Sequence, residues 1–301
     1  MKITDIALCL LLFGGLSASC VREDLSDCYG TDKLVLSYKG DGETEIFGEK
    51  ICRVEMYVFD RENKCVSSGT LPADQVANRT AILPPLSPGD YQIICLGNTH
   101  STGIHNLESC RFDQIRFAAK DYLSGGNVSG NDSLYYASAS YTVDADYSTG
   151  KERTKTIEFA SAHYKVLAEV VGVPAGEGRS GGIPVLELCN VSPCTDFENH
   201  ACGEATTYRL ATSYDDGDML LTARANIMRH NNHEDVSLCL RTASGEEKLA
   251  EVNFAEFLEA HQDVIDCSRQ EVLIPIRIEF KSGNVTITVP EWYVEEVKPE
   301  F

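Results

Sequence analysis

Residues 272–289 read VLIPIRIEFKSGNVTITV, and they decide the fold because they contain the clearest β-hairpin of the chain. Apolar side chains alternate along two arms that flank a Ser-Gly-Asn turn at 282–284, as expected of paired strands with one buried face. Pro275 lies on the opposite face of the strand from the alternating apolar residues. Its missing amide hydrogen predicts a sheet edge or a bulge there. The alternating apolar positions are Ile274, Ile276, Ile278, Phe280, Val285, Ile287 and Val289.

A second stretch, CRVEMYVFD at 52–60, shows the same alternation in the first half of the chain. Successive side chains of a strand point to opposite faces, so this pattern predicts a half-buried strand. The positions expected to face inward are Cys52, Val54, Met56 and Val58, and those expected to face outward are Arg53, Glu55 and Tyr57.

Short strand patterns recur through the rest of the chain, separated by turn-forming residues. Two helices are predicted, one near Arg111–Ala119 and one that starts at an Asn253 cap with Glu256 and runs to about Val264. Many short strands with few helices favour an all-β chain built from β-sandwiches. The further predicted strands are Lys33–Tyr38, Thr80–Leu83, Tyr91–Leu96, Leu134–Val143, Thr154–Phe159, Tyr164–Val173, Ile183–Val191, Thr206–Ala211, Met219–Met228 and Val236–Arg241.

The chain has 301 residues, which is more than one usual domain. A polar break at 144–151 separates two halves with similar numbers of predicted strands. We therefore expect two β-sandwich domains in tandem, an N-terminal one over 33–148 and a C-terminal one over 149–301.

The first residues have the pattern of a secretory signal peptide. The apolar run Ile6–Phe13 is followed by small residues and then by Cys20, and it is far shorter than the roughly 20 residues that a spanning helix needs. A cysteine directly after small residues predicts a lipoprotein, in which residues 1–19 are removed and Cys20 carries S-diacylglycerol and N-acyl groups. Residues 20–32 then form a lipidated tether. The alternative is an ordinary signal peptide with a buried or paired Cys20.

The charge of the chain excludes one class of partner. Lys and Arg total 26, Asp and Glu total 46, and the formal net charge is −20. Such a chain repels phosphate, so we expect no nucleic acid partner. Contact with an anionic lipid surface is expected through acyl chains alone.

Ten cysteines remain when Cys9 and Cys20 are set aside, and in an exported protein they can form disulfides. Their connectivity does not follow from the sequence. We expect one or two bridges and several buried thiols. The ten are Cys28, Cys52, Cys65, Cys95, Cys110, Cys189, Cys194, Cys202, Cys239 and Cys267.

The sequence contains no G-x-S-x-G elbow, H-E-x-x-H motif or P-loop. The segment His230–Asp235 combines histidines with acids and could bind a metal, but a polar turn between strands is the interpretation that we adopt. No pair of carboxylates is identified that would face each other across a cleft, as a glycan hydrolase requires. We therefore expect no enzyme, no catalytic residues, no cofactor and no metal site.

Four short segments, in their shared order, resemble the anchor subunits of Bacteroidetes type V fimbriae, the FimB-like family. They are CVREDLSDC at 20–28, VEMYVFD at 54–60, LSPGDY at 86–91 with LGN at 96–98, and VTITV at 285–289 before Trp292.

This resemblance implies two transthyretin-like β-sandwiches and residence in the outer membrane, facing outward through a lipid anchor. It implies partnership with fimbrial stalk or accessory subunits, a role in fixing the base of a fimbrium and ending its growth, and no catalytic residues. We hypothesise that the first strand, near Lys33–Tyr38, stays in its own sandwich. The segment Trp292–Phe301 either finishes the second sandwich, which we favour, or reaches a stalk subunit.

An alternative function remains open from the sequence. A surface lipoprotein of this kind could bind a glycan or a host protein through loops such as 99–133, which are rich in Ser, Gly, Asn and His.

Overall fold

The computed structural model describes residues 32–109, 112–144, 153–172, 182–230, 233 and 235–297. The predicted signal peptide, the tether and Cys20 lie outside these ranges, so what was expected of them stays a prediction. Within the described part of the chain, no helix is long and apolar enough to cross a bilayer.

The first half of the chain folds into short strands with three short α-helices and two 3₁₀ turns, at Leu107–Ser109 and Phe112–Gln114, among its described residues. In chain order these elements are β1 (Asp32–Ser37), α1 (Phe47–Lys50), β2 (Val54–Phe59), β3 (Cys65–Thr70), α2 (Ala73–Ala77), β4 (Thr80–Ile82), β5 (Gly89–Gly97), β6 (Thr102–His105), β7 (Arg116–Ala119), α3 (Lys120–Leu123), β8 (Tyr135–Val143), β9 (Arg153–Glu158) and β10 (Ala160–Ser161).

The second half is also dominated by strands. Its elements are β11 (His163–Val171), β12 (Val185–Val191), β13 (Cys194–Asp196), β14 (Ala201–Cys202), β15 (Thr206–Arg209), β16 (Thr212–Asp215), β17 (Leu220–Met228), β18 (Ser237–Arg241), β19 (Lys248–Asn253), α4 (Phe254–Ala260), β20 (Leu273–Lys281), β21 (Asn284–Thr288) and α5 (Glu291–Val297). The predicted all-β fold class with few helices is confirmed.

The N-terminal sandwich packs the sheet β4-β1-β9 against the sheet β10-β8-β5-β2-β3. Leu34 and Leu36 from β1, Val54 and Val58 from β2, and Ile93 from β5 meet in its core, and each of them has 0% of its surface exposed. Val54, Met56 and Val58 thus face the core as predicted. The same prediction is wrong for Cys52, which precedes β2 and is exposed.

The other face of β2 is covered as well, and the prediction of a half-buried strand is wrong for its second part. Tyr57 and Phe59 are 5% and 0% exposed because a third sheet, β14-β13-β7-β6, lies over this face. A helix was predicted near Arg111–Ala119, of which Arg111 lies outside the described residues. One 3₁₀ turn forms at Phe112–Gln114, and the rest of the prediction is wrong because β7 occupies Arg116–Ala119. Pairing of β7 with β6 and β13 overrides the local helical pattern.

The C-terminal sandwich packs the sheet β16-β17-β11-β20-β21 against β15-β12-β18-β19. The predicted hairpin is β20–β21. Pro275 pairs with Leu167 of β11 on one side, whereas pairing with β21 begins at Arg277. The proline thus sits where β20 has one neighbouring strand, as its missing donor requires.

The predicted helix near the C-terminal third starts as expected and ends early. The Asn253 side chain accepts a hydrogen bond from the Glu256 amide at 3.0 Å, which caps α4. The helix stops at Ala260 instead of Val264. The His261 ring contacts the Phe257 carbonyl at 2.8 Å, which satisfies a terminal acceptor of the last turn.

Two strands that follow residue 148 pair with strands of the first half. β9 pairs with β1 over Asp32–Ser37, and β10 pairs with β8, so both strands complete the N-terminal sandwich although they follow residue 148. We propose that the boundary between the two sandwiches lies near Ala162.

Candidate functional site

The first strand is the element on which a strand-exchanging protein would depend, and here it is bound on both edges. β1 pairs antiparallel with β4 and parallel with β9. Leu34, Leu36 and Tyr38 are 0%, 0% and 1% exposed. Removal of this strand would open a groove between β4 and β9 and uncover the core of the N-terminal sandwich.

Charged side chains hold the beginning of β1. The guanidinium of Arg153 on β9 donates to both carboxylate oxygens of Asp32, with Nε–Oδ1 and Nη2–Oδ2 distances of 3.0 Å each. A bidentate ion pair of this kind combines charge attraction with a fixed geometry. It therefore holds the first residue of β1 against β9.

The end of β1 is held by Glu45. Its carboxylate accepts from the Ser37 hydroxyl and from the Tyr38 amide at 2.8 Å each, and it pairs with Arg79 at 2.8 Å. Burial alone would raise the pKa of Glu45, but these hydrogen bonds and the Arg79 charge lower it. The carboxylate is therefore charged and bound at neutral pH.

Glu271 joins the two halves of the molecule. It accepts from the hydroxyls of Tyr38 and Tyr135 at 2.6 and 2.9 Å and from Lys165 Nζ at 2.7 Å, while Lys50 Nζ lies 3.4 Å away. Burial would raise the pKa of Glu271, but the bonds from Lys165 and Tyr38 and the Lys165 charge outweigh it and bring the pKa to about 2. This anion thereby connects Tyr38, directly after β1, and Tyr135 of β8 to Lys165 of β11.

The third sheet is a second connection, because it takes β6 and β7 from the first half and β13 and β14 from the second. Phe197, in the turn between β13 and β14, is fully buried. Its ring centroid lies 5.4 Å from those of Tyr57 and Phe59 and 6.0 Å from that of Phe117. Through this side chain, the turn therefore packs against the outer face of the N-terminal sandwich.

A groove of about 680 Å³ lies on the face of the β11–β17–β20 sheet that points away from the C-terminal core. Leu167 and Arg224 contribute to its floor, the loop 129–133 forms one wall, and Trp292 of α5 lies at its edge. The Trp292 indole donates to Glu169 at 3.2 Å, and its side chain remains 41% exposed. Groove and loop 129–133 together could bind a small polar ligand.

The expected polar turn at 230–235 contains a packed pair of imidazoles. His233 Nδ1 lies 2.9 Å from His230 Nε2, and both rings pack against Tyr164. Burial lowers the pKa of His230, and burial together with the His230 ring lowers the pKa of His233 to about 4. Both rings are therefore neutral at pH 7 and act as packing groups.

Sequence reasoning missed one cluster of possible ligands. Asp196, Glu198 and His200 bring one donor atom each within 4.8 Å of one another, the one such group in the described ranges. Asp196 accepts from the amides of Glu198 and His200 at 2.9 Å, so the turn geometry accounts for the cluster. No signal in the sequence marks it, because the three residues alternate with others at the end of β13 and in the four-residue turn that follows.

Comparison with known families decides the identity. The family described as fimbrillin-A associated anchor proteins Mfa1 and Mfa2 matches residues 25–298. The chain belongs to this family. The resemblance found in the sequence is thereby confirmed, and membership supports a fimbrial anchor role, association with fimbrial subunits and a place at the cell surface. None of the curated proteins matches the chain.

Several solved structures have the same fold as this chain. The fimbrial anchor protein Mfa2 from Porphyromonas gingivalis superposes with a TM-score of 0.63 at 13% identity, covering 87% of this chain and 96% of that one. A candidate adhesin from Bacteroides ovatus gives 0.68 at 18% identity, with 90% and 96% covered. A candidate polysaccharide-binding protein from Bacteroides thetaiotaomicron gives 0.64 at 15% identity, with 88% and 99% covered.

Proposed function

We propose that this protein fixes the base of a surface fimbrium to the outer membrane and ends its assembly, and that it has no enzymatic role. The observation that carries the proposal is the position of β1, bound by β4 and β9 with Leu34 and Leu36 fully buried. Membership of the anchor family is the second support.

Termination follows from the chemistry of strand addition. Subunits that join in this way offer an open groove, in which main-chain hydrogen bonds supply affinity and alternate side chains fill pockets. In this chain the groove between β4 and β9 is already filled by the chain's own strand. A stalk subunit would have to displace Leu34, Leu36 and Tyr38 from the core, so the N-terminal sandwich adds no further subunit.

Fixation depends on Cys20 in this proposal. Two or three acyl chains on one residue give stable anchoring, because each buried CH₂ contributes about 0.8 kcal/mol. The change Cys20→Ala should release the protein from the outer membrane fraction and shed fimbriae into the medium. Cys28→Ala is the matched control, since it removes a thiol from the same segment and should leave location unchanged. Retention of the Cys20→Ala variant in the membrane would contradict the lipid anchor.

Termination can be tested at the exposed loop 39–44, which follows β1. A specific protease site inserted between Gly42 and Glu43 would allow the strand to be cut from the sandwich and removed by unfolding and refolding. The uncut protein should not take up stalk subunit at its N-terminal sandwich, and the strand-depleted protein should. Uptake of stalk subunits in series by the uncut protein would contradict the proposal.

We place the strand-mediated stalk contact in the C-terminal sandwich. Here β21 forms one edge of its sheet, and an edge strand offers unpaired backbone groups to another chain. Removal of residues 292–301 tests whether the terminal segment takes part, since it leaves β21 in place. In a pull-down with stalk subunit, full binding by the folded truncated protein would assign the contact to the β21 edge, and lost binding would assign it to the segment.

The groove beside Trp292 supports a second candidate function, binding of a glycan. Aromatic, amide and hydroxyl groups line it together with the exposed Arg224, and loop 129–133 belongs to the segment predicted to bind ligands. Trp292→Ala and Arg224→Ala should then abolish retention on a glycan array, whereas Met219→Ala, a change at another exposed apolar residue, should not. Absence of any retained glycan would remove this candidate.

A further inference from the structure

Two pairs of cysteines in the C-terminal half have their sulfur atoms close together. Cys194 and Cys202 lie on β13 and β14 with an Sγ–Sγ distance of 3.7 Å. Cys189 and Cys239 lie on β12 and β18 with an Sγ–Sγ distance of 3.6 Å. The thiols are free in the structure, and their distances alone do not distinguish the two pairs.

Strand register does distinguish them. Cys194 and Cys202 are direct antiparallel partners, and such partners have Cα atoms about 4.5–5.5 Å apart, within the range of about 4.4–6.8 Å that a disulfide accepts. Cys189 is opposite Ser237, and Cys239 is opposite Glu187, so these two cysteines are diagonal neighbours. Diagonal positions are about 7–8 Å apart, beyond what a disulfide spans without backbone movement.

The backbone next to Cys202 provides space for the Cys194 sulfur. Gly203 has a φ of +91°, and a Cβ at that position would lie 2.5 Å from Cys194 Sγ. Any other residue would therefore push this sulfur away from its partner. The glycine is required both by its left-handed backbone conformation and by the approach of the sulfur.

We propose that Cys194 and Cys202 form a disulfide in the exported protein, whereas Cys189 and Cys239 remain thiols. The pairing follows from the fold, and its occurrence in the cell rests on the export proposed above. The structure gives the bond a purpose: it closes the base of the turn that carries Phe197 into the N-terminal half. The cross-link would thus fix the connection between the two sandwiches.

The oxidant is a small-molecule or protein disulfide that undergoes thiol–disulfide exchange. Cys202 is the more exposed thiol of the pair, and its hydrogen bond with Cys194 lowers its pKa, so it attacks first and forms a mixed disulfide. Cys194 then loses its proton and attacks Cys202 Sγ. Two S–H bonds are lost, one S–S bond forms, and two electrons and two protons pass to the oxidant, which leaves as two thiols.

The test uses the full mature chain with Cys20→Ala, reduced and then equilibrated with oxidised and reduced glutathione. After alkylation of remaining thiols, cleavage on the carboxyl side of glutamate gives the peptides 188–198 and 199–204, which separate Cys194 from Cys202. We expect these two peptides to be found linked, with Cys189 of the first peptide alkylated, at a mass two hydrogens below the sum of the alkylated first peptide and the second. The link should disappear in Cys194→Ser and persist in Cys189→Ser, and Cys239 should be recovered alkylated.

The change in Tm on reduction of the parent chain is a second measurement, which does not depend on the folding of a serine variant. Reduction should lower the Tm of the parent chain by roughly 5 °C, because the loop closed by the bond is freed in the unfolded chain. Cys189→Ser should retain this shift, and Cys194→Ala should lose it. Recovery of alkylated Cys194 and Cys202 from the oxidising buffer, or a Cys189–Cys239 link in their place, would overturn the proposal.

Discussion

At the scale of single residues, Glu271 connects the two halves through hydrogen bonds from both of them. Its partner Tyr38 is 233 positions away in sequence, and nothing in the local pattern around either residue marks the pair. A sequence shows which carboxylates exist, but a buried anion is stable only where several donors converge on it. Those donors come from four separate places in the chain, which is why sequence reasoning did not find this site.

Glu271→Gln should make unfolding easier at neutral pH and change its acid dependence. The pKa of Glu271 in the folded chain is about 2, below its ordinary 4.5. The carboxylate therefore stabilises the fold above pH 4.5, and this contribution is lost as pH falls towards 2. We expect the variant to lose about 2 kcal/mol at pH 7 and to show a flatter stability profile between these pH values.

Denaturant unfolding at several pH values measures this effect. Glu49→Gln is a suitable control, because Glu49 is exposed at the end of α1 and should alter neither the stability nor its slope with pH. Parallel pH profiles for the parent and the Glu271→Gln variant would show that the anion has no such role.

At the scale of elements, periodicity predicted which side chains of β2 and β20 face a core, because alternation is a local property of a strand. It did not predict that β2 is covered on both faces. The covering sheet takes β7 and β13 from segments far apart in the chain, and each strand is too short for a clear period. Turn chemistry was more informative, since Asn253 marked the start of α4 as expected.

Hydrogen exchange should separate the central strand from the edge strand. β1 has neighbours on both sides, and β21 has one. Amides of Leu34 and Leu36 should exchange at the rate set by unfolding of the N-terminal sandwich, whereas amides of Val285 and Thr286 should exchange through local opening. Mass spectrometry of peptides from each strand measures this. Equal protection would mean that β1 is not held as the sheet order implies.

At the scale of the whole molecule, the two sandwiches share a sheet and the half-buried Glu271 carboxylate, so they should unfold together. Phe197→Ala removes the ring that four aromatic side chains surround and should cost about 3–5 kcal/mol. We expect one calorimetric transition in the parent chain and two in this variant. Trp292→Ala, at a partly exposed position, should leave the transition single. Two transitions in the parent chain would contradict this coupling.

The position of β1 has a mechanical consequence. If the chain is tethered to a membrane through its amino end and pulled by a fibre from its other half, the tension enters along the axis of this strand. Such a load acts parallel to the strand, so the hydrogen bonds from β1 to β4 and β9 must break together and not one after another. The bidentate Arg153–Asp32 pair lies at the end of β1 to which the load is applied. The force needed to separate β1 from its sheet is therefore highest for pulling in this direction.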